Sequence, residues 1–347
     1  MLKTPIQTAF RARVRVATLL AFAAVAGAAV AGCSNSAAPT SSSAPSGGAP
    51  ALKVALLTTG PTDDHGWNEA AYDGLKQIQS QLGAKIATQE TDSPAQFEPA
   101  FQGFASQGYN LIIAHGDEYA DAAAKAAKQF PNVDFVTTGG DKVAPNLAPI
   151  VFATEQGTYL QGMEAGFLTK SNKGGFVGGE DLPPVVRAVD AFRQGAQSVN
   201  PKFTLAVTYI NSWNDPQKAK AQTEALLAQG ADVIAHNCDA AAAGLFQAAN
   251  KPGVYTFGVN SDQNGQAPNV FSSAVLDIPH AFVTIAKSVQ NHTFQGEPLY
   301  LGIKEGDVQL VDNPKLASVL TPAQKAKIQQ AQAEIVSGKI DLAPKSL

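Results

Sequence analysis

Side chains that could hold a small polar ring compound occur together where an aromatic residue is followed by an amide and preceded by a carboxylate. The first such group contains Asp64, Trp67 and Asn68. An indole can stack on a flat ligand, and base-on-aromatic stacking contributes about 1–3 kcal/mol per base. The amide and the carboxylate supply donors and acceptors for the edge of that ligand. These residue types predict a binding pocket.

Four later segments repeat this mixture of side chains: HGDEY at 115–119, NSWNDP at 211–216, HNCD at 236–239 and NSDQ at 260–263. From them we select Asp117, Trp213, Asn237 and Asp262 as further ligand-binding candidates. The two tryptophans of the chain both lie in these segments. Two lobes that close on each other could therefore sandwich a flat ring between Trp67 and Trp213.

Each candidate also has a purely structural interpretation. A tryptophan after a strand often belongs to the core. Asp64, Asp215 and Asp262 could cap helices or shape turns, and for Asp215, directly before Pro216, a helix N-cap is the favoured role.

The sequence lacks the patterns of a reactive site. The histidines at 65, 115 and 236 come from separate segments without i, i+4 spacing, so no metal site is predicted. The glycine-rich stretch at 174–179 lacks the GxGxxG order, and no P-loop or GxSxG elbow is present, so no cofactor and no catalytic residue are expected. A secreted enzyme that used the loop aspartates as acid or base would need carboxylates grouped around a metal or a water, whereas here single acids are spread among aromatics and amides.

Strand-like and helix-like runs alternate from residue 53 onward and must position these groups. The strand candidates lie at 53–58, 85–88, 111–114, 134–138, 150–153, 175–178, 204–209, 233–236, 254–259 and 270–274, and a further strand is expected at 308–311. The helix candidates include the runs at 117–129, 240–250 and 321–337, the last with Thr321 as N-cap and Pro322 at the first helical position. This rhythm predicts an α/β protein with two doubly wound parallel sheets. Ligands of such sheets bind beyond the carboxyl ends of the strands, and clefts between lobes are favoured sites. We expect residues 51–154 plus 277–303 in lobe 1, residues 155–276 plus 304–347 in lobe 2, and a multi-strand hinge.

The first residues resemble an export signal. Lys3 and three arginines precede a small, apolar run at 16–31, which is too short to span a membrane. The ending VAGC at 30–33 resembles a bacterial lipobox, which predicts a signal peptide at 1–32, lipidation of Cys33 and a flexible tether at 33–50. The alternative is an ordinary signal peptide cut near Ala31. With Cys33 lipidated, the protein would sit on the extracytoplasmic face of the cell membrane. Cys238, the other cysteine, is expected to be a small buried residue or a pocket wall.

The 347 residues carry a formal net charge of −4, and 16% of them are charged. This length suffices for two domains with cores of their own. The absence of a basic stripe argues against a nucleic-acid partner. We expect a monomer.

Six segments together resemble the basic membrane protein (BMP) family of ABC-transporter substrate-binding lipoproteins, which includes purine nucleoside receptors. They are DDHGWNEAAYDGL at 63–75, DAAAKAAKQFPNVDFV at 121–136, EQGTYLQGMEAGFLTK at 155–170, GGEDLPPVVRAVDAFRQGAQSVNP at 178–201, SWNDPQKAKAQTEALLAQGADVI at 212–234 and GVNSDQ at 258–263. The resemblance implies a type I periplasmic-binding fold, a purine-type ligand in the inter-lobe cleft and an ABC permease as partner. It implies no enzyme activity.

The resemblance also implies roles for single residues. Trp67 and Asn68 match the pair that stacks on and bonds the base, Trp213 matches a second aromatic, and Asp262 matches a carboxylate that bonds ribose hydroxyls. Two departures stand out. Leu276 replaces a lysine of nucleoside-binding members, which weakens the case for a ribose in the ligand. The segment at 115–122 contains additional acidic residues, which suit a ligand that is rich in N–H donors or carries positive charge.

The sequence therefore predicts a lipid-anchored receptor for a purine base or a purine nucleoside. Three alternatives remain: a secreted α/β enzyme that hydrolyses nucleosides, a binding protein for a different small ligand such as a cationic one, and a sensory receptor that docks on a membrane kinase.

Overall fold

The structure is a computed structural model that describes residues 51–64 and 66–343. The predicted signal peptide, Cys33 and the tether lie outside the described residues. The strands are β1 (Lys53–Thr58), β2 (Lys85–Glu90), β3 (Leu111–His115), β4 (Asp134–Thr138), β5 (Leu147–Phe152), β6 (Lys173–Gly178), β7 (Thr204–Tyr209), β8 (Val233–Asn237), β9 (Tyr255–Asn260), β10 (Val270–Leu276), β11 (Leu299–Leu301) and β12 (Val308–Asp312). The helices are α1 (Trp67–Leu82), α2 (Pro94–Ser106), α3 (Ala120–Gln129), α4 (Thr154–Leu168), α5 (Pro183–Val199), α6 (Pro216–Ala228), α7 (Ala242–Ala249), α8 (Ile278–Gln290) and α9 (Pro322–Val336).

These strands form two six-stranded sheets with equivalent strand orders, which confirms the predicted pair of α/β lobes. The orders are β11-β5-β4-β3-β1-β2 and β12-β10-β9-β8-β6-β7. The first sheet is parallel throughout, and in the second only β12 runs antiparallel, against β10. The short strand β11 and the antiparallel direction of β12 depart from the prediction, which had no strand at 299–301 and expected parallel sheets. The chain passes between the sheets three times, after β5, after β10 and after β11.

Alternate side chains of each central strand enter two separate cores, because helices cover both faces of each sheet. In β1, Val54 and Leu56 pack in one core, whereas Ala55 and Leu57 pack in the other. Helices α1 and α8 supply the first of these cores, and α2 and α3 supply the second. The second lobe repeats the plan, with α4, α5 and α9 on one face and α6 and α7 on the other. Such layers fix the strand ends, where the candidate residues lie.

Helices α4 and α5 approach each other backbone to backbone. A Cβ atom at Gly162 would lie 2.0 Å from the carbonyl oxygen of Phe192, and one at Gly195 would lie 1.9 Å from that of Tyr159. Glycine is therefore required at both positions for this spacing. The contact joins α4, which follows the last central strand of the first lobe, to α5, which borders the cleft described below.

Two predicted helices begin later than expected. The runs at 117–129 and 240–250 open with single 3₁₀ turns at Asp117–Tyr119 and Asp239–Ala241, and α3 and α7 follow them. These turns place Asp117 and Asp239 at the ends of β3 and β8. In the described part of the chain, no helix is long and apolar enough to cross a membrane. The residue bounds given above for the two lobes stay a prediction.

Candidate functional site

A cavity opens where strand ends of both sheets face each other. Its empty space, counted together with the part that is open to solvent, is about 650 Å³. Its lining includes four of the seven sequence candidates, Trp67, Asp117, Trp213 and Asn237. The other lining residues are Thr59, Gly116, Glu118, Thr138, Gly139, Val151, Phe152, Thr154, Leu182, Pro184, Val185, Arg187, Asp239 and Asn260.

The first lobe presents Trp67 at the start of α1. Its indole stacks on the ring of His115, with the centroids 3.8 Å apart and the planes at 22°, and it meets Phe152 edge-on at 6.3 Å. The His115 ring is held at both nitrogens, Nε2 by the carbonyl of Trp67 at 3.0 Å and Nδ1 by the Thr138 hydroxyl at 3.0 Å. Because a carbonyl only accepts, Nε2 carries the proton and Nδ1 accepts from Thr138. Burial lowers the pKa of His115 to about 3, so the ring is neutral at physiological pH.

The second lobe presents Trp213 in the loop between β7 and α6. The indole lies against the backbone of Gly179, where a Cβ atom would be 2.2 Å from Trp213 Cε3. Two sets of hydrogen bonds hold this loop in place, one at Trp213 itself and one at Asp215. The carbonyl of Trp213 accepts a hydrogen bond from the Ala241 amide at 3.0 Å, and Asp215 caps α6 through the amides of Gln217 and Lys218. The N-cap role favoured for Asp215 is confirmed.

Three carboxyls border the cavity. Burial raises the pKa of Glu118 to about 7, with smaller contributions from Glu180 and Asp117. Burial also raises the pKa of Asp117, against the opposing charge of Arg187. Asp239 is buried and accepts from Asn260 Nδ2 at 3.2 Å, and burial with nearby negative charge raises its pKa well above the usual range.

Arg187, on α5, is the cation of the cavity lining. Its Nε lies 3.8 Å from Glu155 Oε2, beyond hydrogen-bonding distance, and neither atom has a hydrogen-bond partner among the described residues. The other oxygen of Glu155 accepts from the Tyr300 hydroxyl at 2.9 Å. Arg187 therefore forms an ion pair with Glu155 without a hydrogen bond from Nε, and its charge also stabilises the ionised form of Asp117.

Asp64 and Asn68 lie just outside the cavity lining. Both oxygens of Asp64 are used within its own loop: Oδ1 accepts from the amides of Gly66 and Glu69, and Oδ2 accepts from the amide and the side-chain Nδ2 of Asn68, each at 2.9 Å. Asp64 thus caps the start of α1, which is the structural alternative noted for it. Asn68 is buried, and its Oδ1 has no partner among the described residues. A direct ligand role for either residue stays a prediction.

Asp262 lies in a neighbouring groove and not in the cavity lining. That groove also contains Leu276 and Asp277, and it meets the cavity at Asn260. The exposed carboxylate of Asp262 accepts from the Asn264 amide at 3.0 Å. Its predicted contact with a ligand remains untested.

The cavity also contains residues that the sequence did not single out as candidates. Glu118, Asp239 and Asn260 follow or end strands β3, β8 and β9, so the rule that sites lie at strand ends could have found them. Arg187 had no such signal, because it projects from the first turns of a helix. Asp121, in the same acidic segment as Asp117, lies in the adjoining open groove with its side chain 86% exposed.

The described residues contain no group of histidine, cysteine and carboxylate side chains that could hold a metal ion. Cys238 is buried, and among the described residues it is a free thiol. Burial raises its pKa well above the usual range, and its side chain packs in the core beside α6 and α7, so Cys238 is the small buried residue of the two expected alternatives.

Residues 51–343 match the family model described as "ABC transporter substrate-binding protein PnrA-like". A purine-binding protein of Brucella abortus is 32% identical over 295 residues, which cover 84% of this chain and 82% of that protein. A nucleoside-binding protein of Lactococcus lactis is 27% identical over 85% of this chain and 90% of its own length. A solute-binding protein of an ABC transporter from Aeropyrum pernix superposes with a TM-score of 0.78 at 21% identity, over 86% of this chain and 94% of that one, which shows the shared fold.

Proposed function

The chain belongs to the PnrA-like family of ABC transporter substrate-binding proteins, and from this premise we propose that it captures a purine base or a purine nucleoside between its lobes and delivers it to an ABC permease. The observation that carries the proposal is one cavity that receives a tryptophan from each lobe, Trp67 and Trp213. Two indoles in one cavity suit a flat aromatic ring, since each face of such a ring can stack.

The polar part of the cavity supports a ligand with N–H donors. Three carboxyls border the cavity beside Arg187, and the amide nitrogen of Asn260 is already bonded to Asp239. The cavity is therefore rich in acceptors, and the exocyclic amino group and ring N–H groups of a purine would satisfy them. The names of the Brucella and Lactococcus relatives point to the same ligand class.

The ligand would be bound without chemical change. Closing the lobes would bury the ring between the indoles and leave a wrong ligand's polar groups unpaired, which gives selectivity. A nucleoside-hydrolysing enzyme, the alternative, would release ribose from inosine. Incubating the protein with inosine and assaying for reducing sugar tests it directly, and we expect none.

We further propose that Cys33 carries a lipid, that residues 33–50 tether the lobes to the extracytoplasmic face of the membrane, and that the protein acts as a monomer beside its permease. The lipobox-like ending VAGC supports the anchor. Exchanging Cys33→Ala should move the protein from the membrane fraction to the soluble fraction. Continued recovery of the variant with the membrane would contradict the anchor.

Tryptophan fluorescence tests the ligand. The protein from Ser34 onward is titrated with adenine, adenosine, guanosine and inosine, and we expect saturable quenching that weakens on Trp213→Ala. The order of affinities separates base from nucleoside. The absence of any response, together with an unchanged melting temperature, would overturn the purine proposal.

A further inference from the structure

We propose that His115 and Gly179 are positioning residues that hold the indoles of Trp67 and Trp213 open to the ligand. The inference rests on the proposed function, because it assumes that the cavity receives a flat ring. Neither residue would touch the ligand through its own side chain. Each supports the rear of an indole, one from each lobe.

His115 supports Trp67 by stacking and by a hydrogen bond. The two rings are 3.8 Å apart and nearly parallel, and Nε2 also donates to the main-chain carbonyl of the same tryptophan. The Thr138 hydroxyl at Nδ1 fixes the remaining rotation of the imidazole. With His115 covering one face, the opposite face of Trp67 is the one left for a ligand. A bound ring would then form the third layer of a stack that begins with a neutral imidazole.

Gly179 supports Trp213 by having no side chain. A Cβ atom there would lie 2.2, 2.3 and 2.9 Å from three carbon atoms of the indole, which is closer than atoms can approach. Any larger residue would therefore push the ring away from the end of β6, and the room for such a movement lies on the cavity side. The glycine sets how far Trp213 enters the cavity.

The two supports share one physical consequence. An indole that is held in place before the ligand arrives loses less side-chain freedom on binding than one that must be ordered by it. A mobile or displaced tryptophan keeps its hydrophobic surface, but its ring is no longer in the position that stacks on the ligand. Ligand affinity should therefore fall even when the tryptophans themselves are unchanged.

The chain offers a matched control for each variant. His236 is also a buried neutral histidine at a strand end, hydrogen-bonded to Gln263 at 3.0 Å, but it meets Phe246 edge-on and has no tryptophan partner among the described residues. Gly174 lies in β6, which Gly179 directly follows, and a Cβ atom at Gly174 would lie 2.4 Å from Phe203 in the core. His115→Ala is compared with His236→Ala, and Gly179→Ala with Gly174→Ala.

Adenine and adenosine affinities are measured by calorimetry, with urea unfolding as the measure of stability. We expect all four variants to be less stable, and only His115→Ala and Gly179→Ala to bind about tenfold or more weakly. His115→Phe, which restores a flat ring behind Trp67, should recover much of the affinity. Equal affinity losses in a variant and its control would overturn the positioning role.

A ligand-free measurement separates this inference from the proposed function. In a Trp213→Phe background the only tryptophan emission comes from Trp67, and His115→Ala should shift its emission maximum and increase its quenching by acrylamide, while His236→Ala should not. If no purine binds the unaltered protein, the proposed function fails, yet this signal still reports whether His115 fixes the indole. An unchanged Trp67 signal would overturn the role of His115 whatever the ligand is.

Discussion

Glu118 combines a place in the cavity lining with a carboxyl whose pKa burial raises to about 7. The carboxyl is therefore protonated in much of the ligand-free protein below neutral pH and ionised above it. Its neighbours Asp117 and Glu180 both add negative charge, which acts in the same direction as burial. A ligand that donates N–H groups favours the ionised form.

We predict that purine affinity rises between about pH 6 and about pH 8. The sign follows from linkage: below the raised pKa, binding must first remove a proton from Glu118, which weakens binding by up to about tenfold for each pH unit. Glu118→Gln cannot titrate, so its pH profile should be flat over this range. Calorimetry at several pH values in buffers of different ionisation enthalpy would also count the protons released. A profile that is as steep in Glu118→Gln as in the unaltered protein would rule the idea out.

A residue of the cavity could be predicted from the sequence when it lies close to the end of a strand. Trp67 and Trp213 each follow a strand, β1 and β7, after a few residues, and their types alone suggest stacking. Arg187 could not be predicted, because a helix can turn any of several faces toward a cleft and only packing selects one. The stacking of His115 on Trp67 joins residues 48 positions apart along the chain, and nothing local in the sequence encodes that contact.

At the scale of single elements, the start of α1 depends on one carboxylate. Asp64 is buried and receives four hydrogen bonds, three of them from main-chain amides of residues 66, 68 and 69. The helix therefore begins from a bent loop that Asp64 holds together. Trp67 and Asn68 are the first two residues of that helix, so a structural residue sets the position of the candidate ligand contacts.

We predict that Asp64→Ala lowers the free energy of unfolding by about 2 kcal/mol, because it removes a helix cap and leaves buried amides unpaired. Ligand affinity should fall as well, since the first turn of α1, which carries Trp67, loosens. Asp63→Ala is the matched control, as Asp63 is the exposed neighbour. Urea unfolding of both variants measures the difference. Similar stabilities would show that Asp64 is not the cap on which α1 depends.

The contact of α4 with α5 gives a second prediction at this scale. Gly162→Ala would press a methyl group into the α5 backbone, where the Phe192 carbonyl oxygen lies 2.0 Å from the site of the new atom, and we expect a loss of about 1–3 kcal/mol in the free energy of unfolding. At Gly103, inside α2, a new methyl group would enter open space, with no neighbouring side chain or element within 4 Å. Gly103→Ala should therefore stabilise the protein by about 0.5–1 kcal/mol, through helix propensity alone. If Gly162→Ala lowers the free energy of unfolding while Gly103→Ala raises it, packing against α5 is the cause of the loss. Changes of the same sign in both variants would refute this explanation.

The elements themselves followed from local patterns, and the exceptions have physical reasons. Hydrophobic runs predicted the strands β1 to β10. Thr321 and Pro322 predicted the start of α9, where a capping box is present. Strand β11 has three residues, too few for a pattern to be read. The antiparallel direction of β12 is defined by its pairing with β10, which is a tertiary contact that no local pattern encodes.

At the scale of the whole molecule, two sheets with the same strand order present their carboxyl ends to one cavity. The repeated βαβ rhythm predicts each sheet, because right-handed crossovers leave few alternatives. It does not predict that the chain passes three times between the sheets, since the third passage depends on where the short strand β11 pairs. Three passages join the lobes while leaving the cleft between them accessible.

The double exchange of Trp67 and Trp213 tests whether the lobes act on one ring. Trp67→Ala and Trp213→Ala should each weaken purine binding by about 1–3 kcal/mol. If both indoles stack on opposite faces of the same ring, the ligand favours closure only while both are present, so after one is removed the other contributes less. The double variant should therefore lose less than the sum of the single losses, by about 0.5 kcal/mol or more. Additive losses, measured by calorimetry on all four proteins, would mean that the tryptophans contact the ligand independently or contact different parts of it, and the sandwich would have to be abandoned.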